Sequence, residues 1–373
     1  MKLIEVKSTK DKKRFLDVAR IIYKDDPAFV CPLDSQIEDV FDPEKNVFAR
    51  EGHFCRWYME DEKGALIGRV AAFINKRKAW VYEKPTGGMG FFECINNKKA
   101  AFMLFDCCME WLKERGMKAM LGPINLGEND KFWGLLVENY DTPAFGMAYN
   151  KDYYQSFFTE YGFNVHFEQL TNRLILNKKY PERFYKIAEW LLKKPGYTYA
   201  HFTYKNKQKY IRDFVEIYND AWSSHNNFTP VTSEDIEEQL MEAKPFLVEE
   251  FVWFAYYNDE PVSLYVMLPD INYILRYFNG KMNLLNKIRF ICLVKKRIIQ
   301  RARIVVMGVK KKYQNHGIES GFFWHLEKVM EKYPEYKEIE MSWVGDFNER
   351  MLALHHALGG TPSKKHITYI KNF

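Results

Sequence analysis

The alternation of apolar and polar positions along the first half of the chain predicts a run of seven elements. Apolar residues recur every three or four positions in some stretches, which is typical of helices, and every second position in others, which is typical of strands. Turn residues such as Gly64, Gly116 and Gly162 separate the stretches. The predicted order is a helix (14–23), a hairpin (55–75), a strand (88–93), a helix (97–117), a strand (118–124), a helix (151–163) and a strand (166–176).

The second half of the chain repeats this order after a KKPGY break. Its predicted elements are helices (207–222 and 233–243), a hairpin (251–269), a basic helix (283–303), a strand (303–309), a helix (317–332), a strand (337–344), a helix (348–358) and a strand (366–371). Because one order of elements occurs twice, we predict an α/β (α+β) chain of two like lobes. The lobes are residues 1–175 and 185–373, joined near 172–185.

The composition supports two folded lobes. A chain of 373 residues with 47% hydrophobic and 28% charged residues is too long for one ordinary core and too apolar for a disordered protein. The amino terminus has no apolar run after its charges, and no stretch approaches the roughly 18 apolar residues of a membrane-spanning helix. The six cysteines show no CxxC pair and no metal-ligand spacing. We therefore expect free thiols, no metal site and a cytoplasmic location.

The basic residues are concentrated in one segment. The formal net charge is +6, yet residues 271–318 contain 12 Lys or Arg and no Asp or Glu. Subtracting these 12 charges from +6 leaves −6 for the rest of the chain. Such a segment suits a phosphate-bearing ligand, an anionic membrane or a nucleic acid, and the alternative is a solvated helix face.

Part of this segment has the pattern of a basic amphipathic helix. In residues 283–303, the apolar positions Leu284, Ile288, Ile291, Ile298 and Ala302 fall near one face. A helix of this kind, within residues 281–303, can lie on the anionic inner face of a membrane. The alternative is an ordinary helix packed between the lobes.

The joint "VMGVKKKYQNHGIESGFFWHL", residues 306–326, joins an apolar strand to an amphipathic helix. The first N–H groups of a helix have no partner within it, and the helix dipole adds to their positive potential. Gly317 lets the turn approach a ligand closely, and Lys310, Lys311 and Lys312 add attraction for anions. The chemistry of this joint therefore suits a pyrophosphate.

The spacing Val309-x4-Gln314-x2-Gly317 resembles the pyrophosphate loop of the GNAT superfamily of acyl-CoA N-acyltransferases. The position where that family carries a second Gly or Ala is Glu319 here, which places an acid near the phosphates. The resemblance implies two tandem GNAT-like lobes with mixed, mostly antiparallel sheets, and coenzyme A or acyl-CoA as co-substrate. It also implies a binding site for that co-substrate at Met307, Gly308, Val309, Gln314, Asn315, His316, Gly317, Ile318 and Asn348.

The chain is also similar over nearly its whole length to a bacterial family of long, two-lobed GNAT-like proteins. The phrases that carry this similarity include "GFFECINN", "LGPINLGENDKFWGLLVENYDTP", "AYNKDYYQSFFTEYGF" and "SWVGDFNERML". That family includes ceramide synthases, which join a long acyl chain from a CoA thioester to a sphingoid-base amine. The resemblance therefore implies an N-acyltransferase with an amine acceptor that can be a lipid.

The first lobe has no Q-x-x-G turn at the matching joint. Glu93 ends the strand there, and an acid at that position would repel a pyrophosphate. A primary amine must lose a proton before it attacks, so a base is needed. Glu93 and the loop residues Glu128 and Asp130 are the candidates for this catalytic role, with helix capping and solvated charge as the alternative for the loop pair.

Two other functions remain open from the sequence. Paired GNAT-like lobes also occur in transferases that use aminoacyl-tRNA, although we do not expect nucleic acid to be the partner here. Glu319 and the degenerate first lobe are also compatible with a non-catalytic CoA-binding module.

Overall fold

In the computed structural model, which describes residues 1–129, 131–176, 179–223 and 228–373, the chain divides into two units. Unit 1 consists of residues 1–170, 275–288 and 364–373, and unit 2 consists of residues 171–274 and 289–363. Strands β7 and β14 each pass from one unit into the other. Two separate segments of the second half of the chain therefore belong to the first unit.

The first half of the chain alternates helices with the strands of one mixed sheet. Its elements are β1 (Lys2–Glu5), α1 (Thr9–Ile22), α2 (Asp34–Val40), α3 (Val47–Glu51), β2 (His53–Glu60), β3 (Leu66–Ile74), β4 (Thr86–Cys94), α4 (Lys98–Lys113), β5 (Ala119–Gly122), β6 (Leu135–Glu138), α5 (Tyr154–Tyr161) and β7 (Asn164–Ile175).

The second half follows the same plan with two additional short helices. Its elements are α6 (Glu182–Lys193), β8 (Tyr197–His201), α7 (Lys207–Trp222), α8 (Ser233–Ala243), β9 (Val252–Tyr257), β10 (Glu260–Pro269), α9 (Asn272–Leu275), α10 (Leu284–Lys295), β11 (Arg301–Val309), α11 (Ile318–Met330), β12 (Glu338–Glu340), β13 (Val344–Gly345), α12 (Glu349–Ala357) and β14 (Thr361–Asn372).

The sheets of the two units have the same order of pairings. In unit 1, β1, β2, β3 and β4 form an antiparallel ladder, β4 pairs with β5 in parallel, and β5 pairs with β14 antiparallel. In unit 2, β8, β9, β10 and β11 form the ladder, β11 pairs with β12 in parallel, and β12 pairs with β7 antiparallel. The predicted fold class, an α/β chain with mixed and mostly antiparallel sheets, is confirmed.

The core of each unit lies where an amphipathic helix covers this sheet. In unit 1, the buried face of α4 includes Leu104, Phe105 and Cys108, which spacings of one, three and four residues bring together over β3 and β4. In unit 2, Tyr210 and Ile217 of α7 are buried in one cluster with residues of β9 and β10. These helices therefore bury the apolar face of the antiparallel ladder in each unit.

The predicted basic helix is shorter than expected. It ends at Lys295, and Arg297 adopts a φ of 51°, which turns the chain out of the helix. Arg301 then begins β11, where its guanidinium is buried and lies 2.7 Å from Asp270. Ala302 is fully buried in that strand, so neither it nor Ile298 belongs to an apolar helix face. The prediction of a helix through residue 303 was therefore wrong beyond Lys295.

The lengths of the helices bear on membrane insertion. Among the residues that the structure describes, we find no helix with the length and apolar character needed to cross a bilayer.

Candidate acyl-CoA site

Strand β11 is paired with its parallel neighbour β12 only over its first three residues, and we call its remaining part the splayed half of β11. It pairs with β10 from Ala302 to Val309, but its pairing with β12 covers only Arg301 to Arg303. Beyond Arg303, within the described part of the chain, no strand pairs with this edge of β11. The splayed half of β11 therefore offers backbone donors and acceptors to an extended ligand.

The register of β11 identifies the backbone groups that face this opening. The N–H of Lys310 donates to the carbonyl of Val262 on β10, at 2.9 Å. Hydrogen-bonded and non-bonded residues alternate along an antiparallel pair, so Gly308 also faces β10 whereas Met307 and Val309 face away from it. The side-chain amide of Gln314 agrees with this assignment, because it donates to the carbonyl of Val309 at 3.3 Å.

Gly308 is required because an aromatic ring lies against the backbone of β11. A Cβ at this position would lie 2.3 Å from a ring carbon of Trp222, which is the last residue of α7. The Trp222 ring stacks on Tyr218 at a centroid distance of 4.6 Å, and Tyr218 stacks on Phe214 at 5.7 Å. These three rings recur every four residues and form an apolar wall beside the splayed strand.

The lysines that follow β11 do not all face solvent. Lys310 is buried, and its ammonium lies 2.5 Å from Glu216 and 3.0 Å from Glu260. Burial opposes its charge, but the hydrogen bonds to these two carboxylates raise its pKa. Lys310 is thus neutralised within the protein and cannot add the predicted attraction for anions. Lys311 and Lys312 are exposed and can do so.

The first turn of α11 is open to a ligand. Gly317, the residue before the helix, has a φ of 75° and offers no capping side chain. Asn315 is also left-handed, with a φ of 69°. Among the described residues, we find no hydrogen-bond acceptor for the amides of His316, Gly317 and Ile318. Three free amides at the positive end of a helix are an arrangement that suits an anion.

The unexpected acid Glu319 has a cationic neighbour. Arg350 of α12 places one guanidinium nitrogen 3.7 Å from the Glu319 carboxylate and another 3.4 Å from Oε1 of Gln314. About half of the Arg350 side chain stays exposed, so it can also contact a ligand. Sequence reasoning missed Arg350, which is placed beside the loop by a helix that begins more than 30 residues later.

Asn348 has a structural role that competes with ligand binding. Its side-chain oxygen accepts from the N–H of Met351 at 3.2 Å and caps the start of α12. Only its amide nitrogen is left for a ligand, which narrows the role that the resemblance implies for this residue.

The corresponding edge in unit 1 is closed by the protein itself. At the end of β4, the hydroxyl of Tyr154 accepts from the N–H of Cys94 at 2.8 Å, and the hydroxyl of Tyr153 donates to its carbonyl at 2.9 Å. The side chain of Asn97 then caps α4 by accepting from the N–H of Ala100. In unit 1, side chains therefore occupy both the strand edge and the helix start, which are the two positions that are open in unit 2.

Glu93 lies in a buried polar cluster in unit 1. One of its oxygens accepts from the hydroxyls of Tyr23, at 2.7 Å, and Tyr154, at 2.9 Å. The guanidinium of Arg69 is 3.5 Å from the other oxygen. Burial raises the pKa of Glu93 against the opposing effects of Arg69 and the two tyrosines. A raised pKa brings a carboxylate closer to the range in which it exchanges protons at neutral pH.

The loop acids have a different environment. Glu128 forms a 2.6 Å ion pair with Lys78, and 42% of its side chain is exposed. Asp130 lies outside the described residues. In the described part of the chain, the structure therefore places Glu93 and Glu128 in different surroundings, one buried and one solvated.

His355 of α12 is a core residue. It is 1% exposed, and its Nδ1 lies 3.1 Å from the side-chain amide of Asn172. Burial lowers its pKa to about 4, with a smaller contribution from the neighbouring His356. Because the amide donates to Nδ1, this imidazole is held in its neutral form.

We expect His355 to make the protein less stable in acid. Its folded pKa is below the unfolded value, so protons bind the unfolded chain more readily, and stability falls as the pH drops from about 6.5 towards 4. In a His355→Gln variant, the slope of the unfolding free energy against pH should be smaller by up to ~1.4 kcal/mol per pH unit. Denaturant unfolding at several pH values measures this slope. The exposed neighbour offers a matched control, and His356→Gln should keep most of the wild-type slope because burial is the larger cause of the shift. Equal slopes for the wild type and His355→Gln would contradict the assignment.

No cluster of side chains suited to a metal is present among the described residues. Groups of three or more His, Cys, Asp or Glu in a metal-binding arrangement are absent from that part of the chain. The six cysteines are free thiols.

The fold is that of the GNAT N-acyltransferases in a tandem arrangement. One similar solved structure is a tandem GNAT protein from the clavulanic acid biosynthesis pathway. The superposition covers 100% of this chain and 98% of that protein, with a TM-score of 0.58 and 11% sequence identity. Another is a GCN5-related N-acetyltransferase from Sphaerobacter thermophilus. Here the superposition covers 99% of this chain and 95% of that protein, with a TM-score of 0.51 and 10% sequence identity. At these identities the likeness shows the fold alone.

A relative of similar length adds sequence evidence. The chain is 27% identical over 383 residues to the bacterial ceramide synthase of Caulobacter vibrioides (strain NA1000 / CB15N), covering 100% of this chain and 97% of that protein. No family model matches the sequence. The resemblance inferred from the sequence is confirmed: the chain has the GNAT fold and is similar over its whole length to a protein named as a bacterial ceramide synthase.

Proposed function

We propose that this protein transfers an acyl group from a CoA thioester to a primary amine. The observation that carries the proposal is the splayed half of β11 leading directly to the uncapped N-terminus of α11. One end of this feature offers hydrogen bonds to an extended amide-containing chain, and the other binds an anion. A CoA thioester has both parts in that order, with pantetheine next to the thioester and pyrophosphate beyond it.

Each part of the donor has a set of proposed contacts. The backbone of Met307 and Val309 bonds the pantetheine, and Gly308 keeps the strand close to the aromatic wall. The amides of His316, Gly317 and Ile318, which have no acceptor among the described residues, bind the pyrophosphate, whereas the N–H of Gln314 donates to the carbonyl of Lys311 within the turn. This turn comprises Gln314, Asn315, His316, Gly317 and Ile318. The exposed cations of Lys311, Lys312 and Arg350 add attraction at its margin.

The chemistry asks little of the protein beyond position and charge. The amine nitrogen attacks the thioester carbon, the carbon–sulfur bond breaks, and the departing thiolate takes up a proton. A backbone N–H on the open edge of β11 stabilises the negative charge that develops on the carbonyl oxygen. The N–H groups of Met307 and Val309 face the right way for this task.

We propose Glu93 as the base that takes the proton from the acceptor ammonium. Its buried carboxyl has a raised pKa, which brings it closer to the range in which a carboxylate takes up a proton at neutral pH, and two tyrosine hydroxyls donate to it and fix its position. The solvated ion pair of Glu128 with Lys78 makes that residue a weaker candidate. Asp130 stays a prediction from the sequence.

A long acyl chain and a long-chain amine of the sphingoid type are the substrates that we favour. The relative named as a ceramide synthase supports this choice, as does the ring of Trp222, which lies against Gly308 and is the first of three stacked rings with Tyr218 and Phe214. An acyl chain on these rings would be removed from water, which favours longer chains.

The first test is thermal stabilisation by CoA, acetyl-CoA and palmitoyl-CoA, followed by thiol release in the presence of short amines and of a sphingoid amine. A ligand that binds only the folded state raises the melting temperature. We expect palmitoyl-CoA to stabilise most and thiol release to require the long-chain amine. Binding without release on any amine would leave a non-catalytic CoA-binding module, and no binding at all would refute the proposal.

We also expect Arg350 and Glu319 to act on CoA affinity in opposite directions. Arg350→Ala should weaken CoA binding about tenfold, because it removes a cation and leaves the acid uncompensated. Glu319→Gln should strengthen binding a few-fold, since a carboxylate beside the phosphates opposes them. Calorimetric titration of the two variants and the double variant checks this, and Lys328→Ala on the last turn of α11 is the control. If Glu319→Gln weakened binding, the acid would be a ligand contact instead.

A further inference from the structure

Helix α10 has an apolar face that is exposed to solvent in the described part of the chain. Leu284 is 73% exposed, Leu285 76%, Ile288 54% and Ile291 50%. A single exposed leucine or isoleucine is ordinary, but four on one 12-residue helix form a continuous patch. We call these four residues the α10 stripe.

The stripe is opposite the side by which the helix is anchored. At about 100° per residue, Leu284, Ile288 and Ile291 lie within about 60° of one another, and Leu285 lies on their margin. Phe290 is the buried residue of this helix, and it falls on the reverse side. The helix therefore packs by Phe290 and directs the stripe to solvent.

Basic residues border the stripe on both sides. On the same helical projection, Lys287 falls on one flank and Arg289 on the other, and Lys295 and Lys296 follow at the end of the helix. Carboxylates do not approach Lys287, Lys295 or Lys296 within ion-pair distance in the described part of the chain. This differs from the two ends of the segment, where Lys281 pairs with Asp34 and Arg297 pairs with Glu335.

We infer that α10 is a docking surface for an anionic lipid bilayer and lies in the plane of its headgroups. An apolar stripe flanked by Lys and Arg on a short helix is the arrangement that inserts its apolar side chains between lipids while its cations contact lipid phosphates. Charge decides between this partner and a second copy of the chain. Two copies meeting through this face would bring their unpaired lysines together, whereas an anionic surface neutralises them.

This inference is independent of the proposed acyl transfer, because it uses no residue of the CoA site. The α10 stripe differs from the apolar helix face that was predicted from the sequence. Ile298 and Ala302 are not part of the stripe, and Leu285, which was not predicted to belong to the apolar face, is its most exposed residue.

The experiment compares binding of the full chain to phosphatidylcholine vesicles with and without 30% phosphatidylglycerol. Co-sedimentation measures the bound fraction, and a polarity-sensitive dye on Cys292, the exposed thiol on α10, reports insertion. We expect binding to the anionic vesicles with a blue shift of the dye, and at least tenfold weaker binding at 0.5 M salt.

Two triple variants separate the apolar and the electrostatic contributions. The serine variant combines Leu284→Ser, Leu285→Ser and Ile288→Ser, and the glutamine variant combines Lys287→Gln, Lys295→Gln and Lys296→Gln. We expect each of these two variants to bind vesicles at least tenfold more weakly than the wild type. The control replaces exposed apolar residues elsewhere, with Val81→Ser, Val165→Ser and Met241→Ser, and should bind like the wild type. Melting temperatures confirm that all three variants are folded, as expected for substitutions at exposed positions.

Three outcomes would overturn the inference. The first is that the wild type does not bind anionic vesicles, and the second is that both α10 variants bind them as well as the control does. The third is that the serine variant changes a dimer into a monomer in sedimentation velocity without altering vesicle binding. In that last case, the α10 stripe would be a contact between copies of the chain.

Discussion

A Gly317→Glu variant is expected to bind CoA at least 100-fold more weakly than the wild type. The substitution places a carboxylate at the uncapped start of α11, where three amides have no acceptor among the described residues. It also forces a side chain into a left-handed backbone conformation and towards Ile187, whose methyl would lie 3.1 Å from the new Cβ. Charge, backbone strain and steric contact all act against the bound pyrophosphate.

Calorimetric titration with CoA measures the effect, and Gly64→Glu is the matched control. Gly64 has a φ of 78°, close to the 75° of Gly317, and its surroundings are open. Both variants therefore introduce one carboxylate and a similar backbone strain. Only Gly317→Glu introduces them at the candidate anion site. If both variants lost affinity equally, or neither did, the Q-x-x-G turn would be a structural turn without a role in CoA binding.

A Glu93→Gln variant is expected to lower kcat 100-fold or more while KM for acyl-CoA changes less than threefold. The amide keeps the shape of the side chain but cannot accept the ammonium proton, and general-base catalysis typically contributes about 10²–10⁴ in rate. Glu128→Gln, which removes a partly exposed carboxylate in the same unit, should change kcat less than threefold.

The pH dependence of kcat/KM tests whether Glu93 acts as a base or only supports the fold. Because burial raises its pKa, the acidic limb of the profile should lie above the usual range for a glutamate and should disappear in Glu93→Gln. The hydrogen bond from Tyr23 opposes this rise, so Tyr23→Phe should move the limb to higher pH. A residue with a structural role alone would leave the profile unchanged and lower only the melting temperature.

The sequence predicted those parts of the site that depend on local geometry. A glycine at a helix start has a local cause, and the structure gives Gly317 the left-handed conformation that favours glycine. Gly308 was also predicted to allow a close approach, but the group that approaches it is the ring of Trp222 on α7. The repeated order of helices and strands likewise allowed the two like sheets to be predicted before any contact was known.

The features that the sequence did not predict arise from contacts between distant residues. Lys310 follows β11 as expected, but Glu216 and Glu260 come from α7 and β10 and remove it from the anion site. Arg350 is next to Glu319 only because α12 and α11 begin close together. Glu93 was identified as an acid at a strand end, whereas Tyr23 and Tyr154, which determine its environment, lie 60 or more residues away.

The interleaved path of the chain has a consequence for how the protein is made. Residues 364–373 supply the part of β14 that pairs with β5 and β6, and the N–H of Asp34 bonds to the carbonyl of Gly280. During synthesis, amino-terminal domains usually fold first as they leave the ribosome. Here unit 1 contains residues 275–288 and 364–373 in addition to the first 170 residues. Its sheet can therefore be completed only after β14 has been synthesised.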